Sequence, residues 1–278
     1  MTIKRIFKEN WYWIPTAITL FIVILPVWWI ISSSITPADR LFQTPVRYFP
    51  ANPTLDNYRM LFSVVPIGSM ITDTMFVTLF TILLSNIMCM MAAYGFTHTN
   101  LKIVKLAFAF LVASSFLPTM STLIPMFQMF ATLGLHDTRH GLILLYISSF
   151  SPFAIVIITT FMRQIPRSLE EAALVDGANV FVVIFRILLP VMKPAITTMS
   201  IIKFILCLNE FMIPLVFTSR RVSMISVGLT MVPRIDQFMI PWDLISALVT
   251  IIIVPIIVFV VAFEKNIMSG LMAGSVKQ

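Results

Sequence analysis

The sequence has 278 residues, of which 59% are hydrophobic and only 11% charged, and its mean hydropathy is +0.97. A soluble domain carries about 25% charged residues, so this chain has too little polar surface to cover a water-facing globule. Its net charge of +7 is scattered between long apolar runs, which suits cationic loops against anionic lipid and argues against a nucleic-acid surface.

A membrane-spanning helix needs about 20 mostly apolar residues, and six stretches meet that length, at roughly 11–32, 70–96, 103–131, 141–162, 196–218 and 244–264. The first follows Lys4, Arg5 and Lys8. It is too long for a signal-peptide core and runs into Ser32-Ser33-Ser34-Ile35-Thr36-Pro37 without an A-x-A site, so it reads as an uncleaved signal anchor. Trp11, Trp13, Trp28 and Trp29 lie near its ends, as expected of an aromatic belt. Cys89 and Cys207 sit inside apolar stretches and read as small buried hydrophobes. Pro26, Pro118, Pro125, Pro152, Pro214 and Pro255 fall inside spans, where they kink helices whose neighbours satisfy the freed carbonyls.

Orientation follows the placement of Lys and Arg. With the N-terminus inside, the cytoplasmic segments hold eleven of these residues (Lys4, Arg5, Lys8, Lys102, Lys105, Arg163, Arg167, Arg186, Lys193, Lys265 and Lys277), and the outer segments hold seven. The bias puts both termini in the cytoplasm. The expected layout is therefore a cytoplasmic segment 1–10, a six-span domain over 11–264 and a cytoplasmic tail over 265–278. Outer loops cover 33–69 and 219–243, and an inner loop covers 163–195.

That inner loop is the most informative stretch. It runs Arg163-Gln164-Ile165-Pro166-Arg167-Ser168-Leu169-Glu170-Glu171-Ala172-Ala173-Leu174-Val175-Asp176-Gly177-Ala178-Asn179 and continues through Phe185 and Pro190 to Pro194. Its pattern predicts helix, turn, helix. Ser168 with Glu171 three residues later forms a capping box. Ala172 and Ala173 favour helix and leave a small face, Gly177 frees the backbone to turn, and the apolar stretch 180–189 stops before Pro190. Such a helix is either a knob for a socket on another protein or an interfacial helix lying on the membrane.

Two charges, Lys203 and Glu210, lie inside the fifth span, a costly position that faces a cavity or a partner. Seven residues apart, they share a helix face at a separation of about two turns. Asn209 and Glu210 are candidates for hydrogen bonding along a translocation path; a role for Glu210 in bracing the helix is the competing reading.

The run Glu171-Ala172-Ala173 with Asp176, Gly177 and Ala178, followed by Phe185, Ile187, Leu189, Pro190 and Pro194, resembles the "EAA" loop of permeases in bacterial ATP-binding cassette (ABC) importers. Three further stretches extend the likeness over nearly the whole chain. Pro53-Thr54-Leu55-Asp56-Asn57-Tyr58 with Leu61-Phe62 looks like a segment of maltose-type sugar permeases. Leu208-Asn209-Glu210-Phe211 with Pro214-Leu215 is similar to their W-N-E-F segment, with Leu in place of Trp. The tail from Gly270 to Gln278 resembles theirs, departing at Ser275 and Gln278. Together they point to the MalG-like second permease of carbohydrate importers.

This resemblance implies an all-α integral membrane fold with six spans and a cytoplasmic coupling helix between spans four and five. Glu171, Ala172, Ala173, Asp176, Gly177 and Pro190 would couple the spans to the ATPase. The implied partners are a second homologous permease, an ATPase dimer, an extracytoplasmic solute-binding protein and membrane lipid. ATP and Mg would be bound by the partner subunits, with no cofactor in this chain, and the implied location is the bacterial inner membrane. The 219–243 loop, with Arg220, Arg221, Arg234, Asp236 and Asp243, would face the binding protein.

Other functions fare worse. A membrane enzyme needs a reactive constellation, yet the histidines are His98, His136 and His140 and no H-E-x-x-H occurs. No glycine precedes a lysine, so the phosphate-cradling G-K-[ST] loop is absent. A secondary transporter would show more spans and internal repeats. An ABC permease for glycerol phosphate, phosphate or amino acids shares the coupling loop and remains the competitor.

Overall fold

The computed structural model describes residues 13–45, 47–117, 119–234 and 240–273. The basic segment 1–10, Trp11, Pro118, Asp236 and the segment 274–278 with Lys277 lie outside the described residues. Every regular element among the described residues is helical. In chain order these are α1 (Trp13–Ser34), α2 (Asp56–Val64), α3 (Ile67–His98), α4 (Lys102–Ser114), α5 (Thr119–Thr132) and α6 (Arg139–Met162). They continue with α7 (Ser168–Val175), α8 (Val180–Val191), α9 (Lys193–Asn209), α10 (Met212–Phe217), α11 (Gly228–Met231) and α12 (Trp242–Ala273).

Four helices, α1, α3, α6 and the Trp242–Phe263 part of α12, are each long and apolar enough to cross a membrane. The other two expected spans are broken. The stretch 103–131 is divided between α4, of 13 residues, and α5, of 14 residues, each short of the roughly 20 a single span needs. The stretch 196–218 stops at Asn209 and resumes as α10. α8 and α9 pass the length and apolarity test only as a pair, bent by 81° at Met192. Six unbroken spans are thus not what the described residues form: the third stretch is divided after Ser114 and the fifth at Asn209, where the polar Asn209-Glu210 pair separates α9 from α10.

The chain divides into two compact units. The first takes in Met1–Ile67 and Gly228–Val254. Within it the Asn-Tyr pair of α2 holds the end of α1: the Asn57 amide donates to the carbonyls of Ser34 (2.9 Å) and Thr36 (2.8 Å), and the Tyr58 hydroxyl meets that of Ser34 at 2.8 Å. The 33–69 loop also covers the tryptophans, as Trp28 donates from Nε1 to the Tyr48 carbonyl (3.1 Å) and Trp29 packs edge-on against the Tyr48 ring.

The second unit comprises Gly68–Val227 and the stretch from Pro255 onward. Its core has two parts strung along α3, α6 and α9. One joins Val77, Leu142, Tyr146, Cys207 and Phe217, and the other joins Met90, Ala154, Ile158, Val183, Leu188 and Met199. Burying a side chain of this size contributes roughly 1.5–3 kcal/mol, which makes α6, with core residues in both parts, the central strut. Cys89 and Cys207 are buried free thiols, as their apolar settings suggest.

Candidate coupling site

The inner loop after α6 folds as helix, turn, helix. Its N-terminus differs from the capping-box expectation. Leu169 already donates to the Pro166 carbonyl (3.2 Å) and Glu170 to that of Arg167 (3.0 Å), so the chain is helical at Arg167. Ser168 therefore lies inside the first turn and makes no cap. The other end matches the sequence. Gly177 has φ +85°, a conformation that side-chain-bearing residues resist. Ala178 donates to the Ala173 carbonyl (2.9 Å), and Asn179 caps the next helix by accepting from the Val182 N–H (3.0 Å).

α8 does not stop before Pro190. Residues Val183–Leu188 form a π-helical turn and the helix continues through Leu189–Val191. A widened turn redistributes the backbone bonds, so the N–H that proline lacks is not missed. The chain bends only at Met192. Pro190 thus belongs to α8, two residues before the bend, and not to α7.

α7 has two faces. Glu171, Ala172, Asp176 and Gly177 are exposed, together with Leu174 and with Val175 at 87% exposure. Ala173 and Ala178 pack against the second core cluster. The exposed strip is small and apolar with an acidic residue at each end, which suits insertion into a groove on another protein.

The inner face holds residues that sequence reasoning did not single out. Glu170 is buried, and its Oε2 lies 2.7 Å from Nε2 of His98, the last residue of α3. The His98 ring stacks on Tyr94 at 4.0 Å, and its Nδ1 is 2.9 Å from the Tyr94 carbonyl. Arg167 donates to the Thr97 carbonyl (3.2 Å). α7 is therefore anchored to the end of α3 by the Glu170–His98 contact and a second hydrogen bond. One signal was available: a carboxylate in so apolar a chain needs a partner, and a histidine ends the second apolar run.

At the other interrupted helix, Asn209 is exposed and donates to the Ile205 carbonyl (2.9 Å). Glu210 accepts at Oε1 from the N–H groups of Met212 (3.0 Å) and Ile213 (3.1 Å), capping α10. Its carbonyl accepts from the Ser226 hydroxyl (2.7 Å). Lys203 is completely buried and donates to Asn86 Oδ1 (2.8 Å), whose amide donates to Ser200 (2.7 Å). The two charges of the fifth stretch thus have separate partners.

A second set of carboxylates holds the start of the 219–243 loop. Asp137, at φ +56°, accepts from the backbone N–H groups of Ser219, Arg220, Arg221 and Val222 and from the Ser219 hydroxyl. Burial pushes its carboxyl up, but the bonds from Arg221, Ser219 and Arg220 outweigh that and hold it well below the usual carboxylate range. Asp73 continues the row: it pairs with Arg139 (2.6 Å) and accepts from the Ser223 N–H (3.0 Å). Among the described residues no group of three or more His, Cys, Asp or Glu is placed to hold a metal.

Residues 85–271 match the family model described as the binding-protein-dependent transport system inner membrane component. The sulfoquinovosyl glycerol transport system permease protein of Agrobacterium fabrum is 31% identical over 265 residues, 95% of this chain and 92% of that protein. The trehalose transport system permease protein of Mycobacterium tuberculosis is 31% identical over 268 residues, 96% of this chain and 97% of that protein. A crystal structure of a bacterial ABC transporter that imports the acidic polysaccharide alginate shares the fold, with a TM-score of 0.81 at 19% identity, covering 95% of this chain and 98% of that one.

Proposed function

We propose that this chain, which belongs to the family of binding-protein-dependent transport system inner membrane components, passes a carbohydrate across the bacterial inner membrane as one permease half of an ABC importer. The family is that of multi-pass membrane subunits that are not enzymes. Carbohydrate as the substrate class rests on relatives over nearly the full chain that carry trehalose and sulfoquinovosyl glycerol.

The observation that carries the mechanism is the two-faced α7. Its exposed strip of Glu171, Ala172, Val175, Asp176 and Gly177 is offered to an ATPase subunit, and its buried Glu170 is paired to His98. ATP-driven closure of an ATPase dimer moves α7, the ion pair carries that motion to α3, and Ala173 and Ala178 carry it into the core beside α6 and α8. A second, homologous permease completes the pathway, and an extracytoplasmic binding protein delivers the solute. ATP and Mg belong to the ATPase subunits.

In this reading α4 with α5 forms one broken span and α9 with α10 another, which restores six crossings with both termini cytoplasmic. Asn209 and Glu210, at the second break, border the path: backbone interrupted at membrane depth must be buried in protein or line a cavity. Gentle purification tests the assembly. An ATPase and a second permease co-eluting with this chain support it, and elution of the chain alone refutes it. Ligand screening by thermal shift on the cognate binding protein tests the substrate class, and stabilisation by a non-carbohydrate solute alone refutes that part.

A further inference from the structure

Three weaknesses in the helical ladder converge on one cleft. α4 ends at Ser114 and α5 begins at Thr119, midway along the expected third span. Pro125 lies inside α5, and Pro152 lies about halfway along α6. Proline has no N–H, so the carbonyls of Ser121 and Ser148, one turn earlier, lose their helical donors. Ser121, Pro125, Ser148 and Pro152 all line the same cleft of about 430 Å³.

Hydroxyls dominate its wall. Six of its ten lining residues are Ser or Thr: Ser114, Ser115, Ser121, Thr122, Ser148 and Ser149. The Ser114 and Ser148 hydroxyls donate to the carbonyls of Leu111 (2.7 Å) and Leu145 (2.8 Å), which spends their protons and leaves their oxygens as acceptors. None of the described lining residues is ionisable. The wall is neutral and rich in acceptors.

Lipid is the wrong neighbour for such a wall. Elsewhere α4 shows what an acyl-facing surface looks like, with Leu106 and Phe110 more than 70% exposed. Freed carbonyls and a helix break at membrane depth require a polar neighbour instead.

We infer that this cleft is an aqueous section of the solute path, in which this chain itself contacts a neutral, hydroxyl-rich substrate. Substrate hydroxyls donate to the serine oxygens and the two freed carbonyls, and the lack of charge disfavours phosphorylated solutes. This rests on the carbohydrate-importer reading above, and the test separates the two.

The test uses the complete importer, with both permeases, ATPase subunits and binding protein, in proteoliposomes. Ser121→Cys and Ser149→Cys variants are treated with a water-soluble trimethylammonium methanethiosulfonate, with and without ATP, and with maltose or trehalose delivered by the binding protein. Both thiols should label at least about tenfold faster than the background from buried Cys89 and Cys207, and a transported sugar should slow the labelling. Ser121→Ala and Ser149→Ala should each lower sugar uptake roughly fivefold, the worth of one hydrogen bond, in complexes shown by co-elution to be assembled. Thiols that never exceed background, as under a partner helix or lipid, overturn the proposal. So does unchanged uptake in both alanine variants. If the binding protein delivers only a non-carbohydrate solute while both thiols label and that solute slows the labelling, the path assignment stands and the carbohydrate reading falls.

Discussion

Nε2 of His98 and Oε2 of Glu170 lie 2.7 Å apart and join the end of α3 to the buried face of α7. Nδ1 of His98 faces both the Tyr94 carbonyl (2.9 Å) and the Thr97 hydroxyl (2.8 Å), so the ring is held at both of its nitrogens. Glu170 is nearly excluded from solvent, with 6% of its side chain exposed. Removing one member of such a pair strands the other at a cost of about 3–5 kcal/mol.

From that pair comes the first prediction. In the proposed coupling cycle each change leaves α7 able to dock but unable to pull α3, so Glu170→Gln and His98→Ala should each lower transport per ATP hydrolysed by about tenfold. His98→Arg places an N–H donor and a fixed positive charge toward Glu170 and should restore most of the transport. Uptake and ATP hydrolysis measured on the same proteoliposomes check this. Equal falls in both quantities would show a folding defect instead.

Gly177 provides the second. Its φ of +85° disfavours any side chain, while a Cβ placed there meets nothing within 4 Å. The cost of substitution is therefore conformational, about 1–2 kcal/mol for a residue that resists the left-handed region. Gly177→Asn should retain coupling better than Gly177→Val, since asparagine tolerates that region. Comparing binding-protein-stimulated ATP hydrolysis in the two variants decides it, and equal loss would point to contact with the ATPase surface instead.

The third concerns Asp137 and the loop it grips. Both oxygens are committed: Oδ1 accepts from Ser219 and Val222, and Oδ2 from the Ser219 hydroxyl, Arg220 and Arg221. Asp137→Asn turns one of these oxygens into a donor facing donors, whichever way the amide lies. Protection of the 219–223 amides from hydrogen exchange should fall by at least about tenfold, the worth of one charge-assisted bond. The sign with pH follows from the lowered folded-state pKa. The stabilisation is complete above the unfolded-state value near 3.8 and is lost only as pH falls through the still lower folded-state value. Exchange protection of this loop should therefore be flat from pH 8 to pH 5 once intrinsic rates are divided out.

Spans and turns were legible because they depend on local pattern. Apolar runs of span length mark α1, α3, α6 and α12, and Gly177 marks the turn after α7. What escaped was set by partners distant in the chain. Nothing near Glu170 distinguishes it from its exposed neighbour Glu171; the difference is His98, far upstream, which lies against one and not the other. Asp137 likewise looks like an ordinary loop acid until the row of N–H groups from 219 to 222 is folded against it. The capping box failed because Pro166 starts the helical turn early. Pro190 misled because a π turn absorbs it.

Lys203 carries the last prediction. Its ammonium is fully buried among α3 and α9 residues, bonded to Asn86 Oδ1 at 2.8 Å with Cys89 Sγ at 3.9 Å. Asn86 in turn donates to Ser200 at 2.7 Å, so one asparagine joins the two helices with both ends of its amide. Lys203→Met keeps the length and shape of the side chain but leaves the Asn86 oxygen without its donor, which costs about 1–3 kcal/mol. Replacing Asn86 as well, in Lys203→Met/Asn86→Leu, removes the stranded group and should recover most of the thermal stability of the assembled complex. If the network serves stability alone, transport by the double variant returns with its stability. If a polar link between α3 and α9 is needed while they shift during the cycle, stability returns and transport does not. In the proposed cycle the His98–Glu170 pair drives α3 from its far end, which favours the second outcome, and unfolding temperature and uptake measured on the same preparation will separate the two.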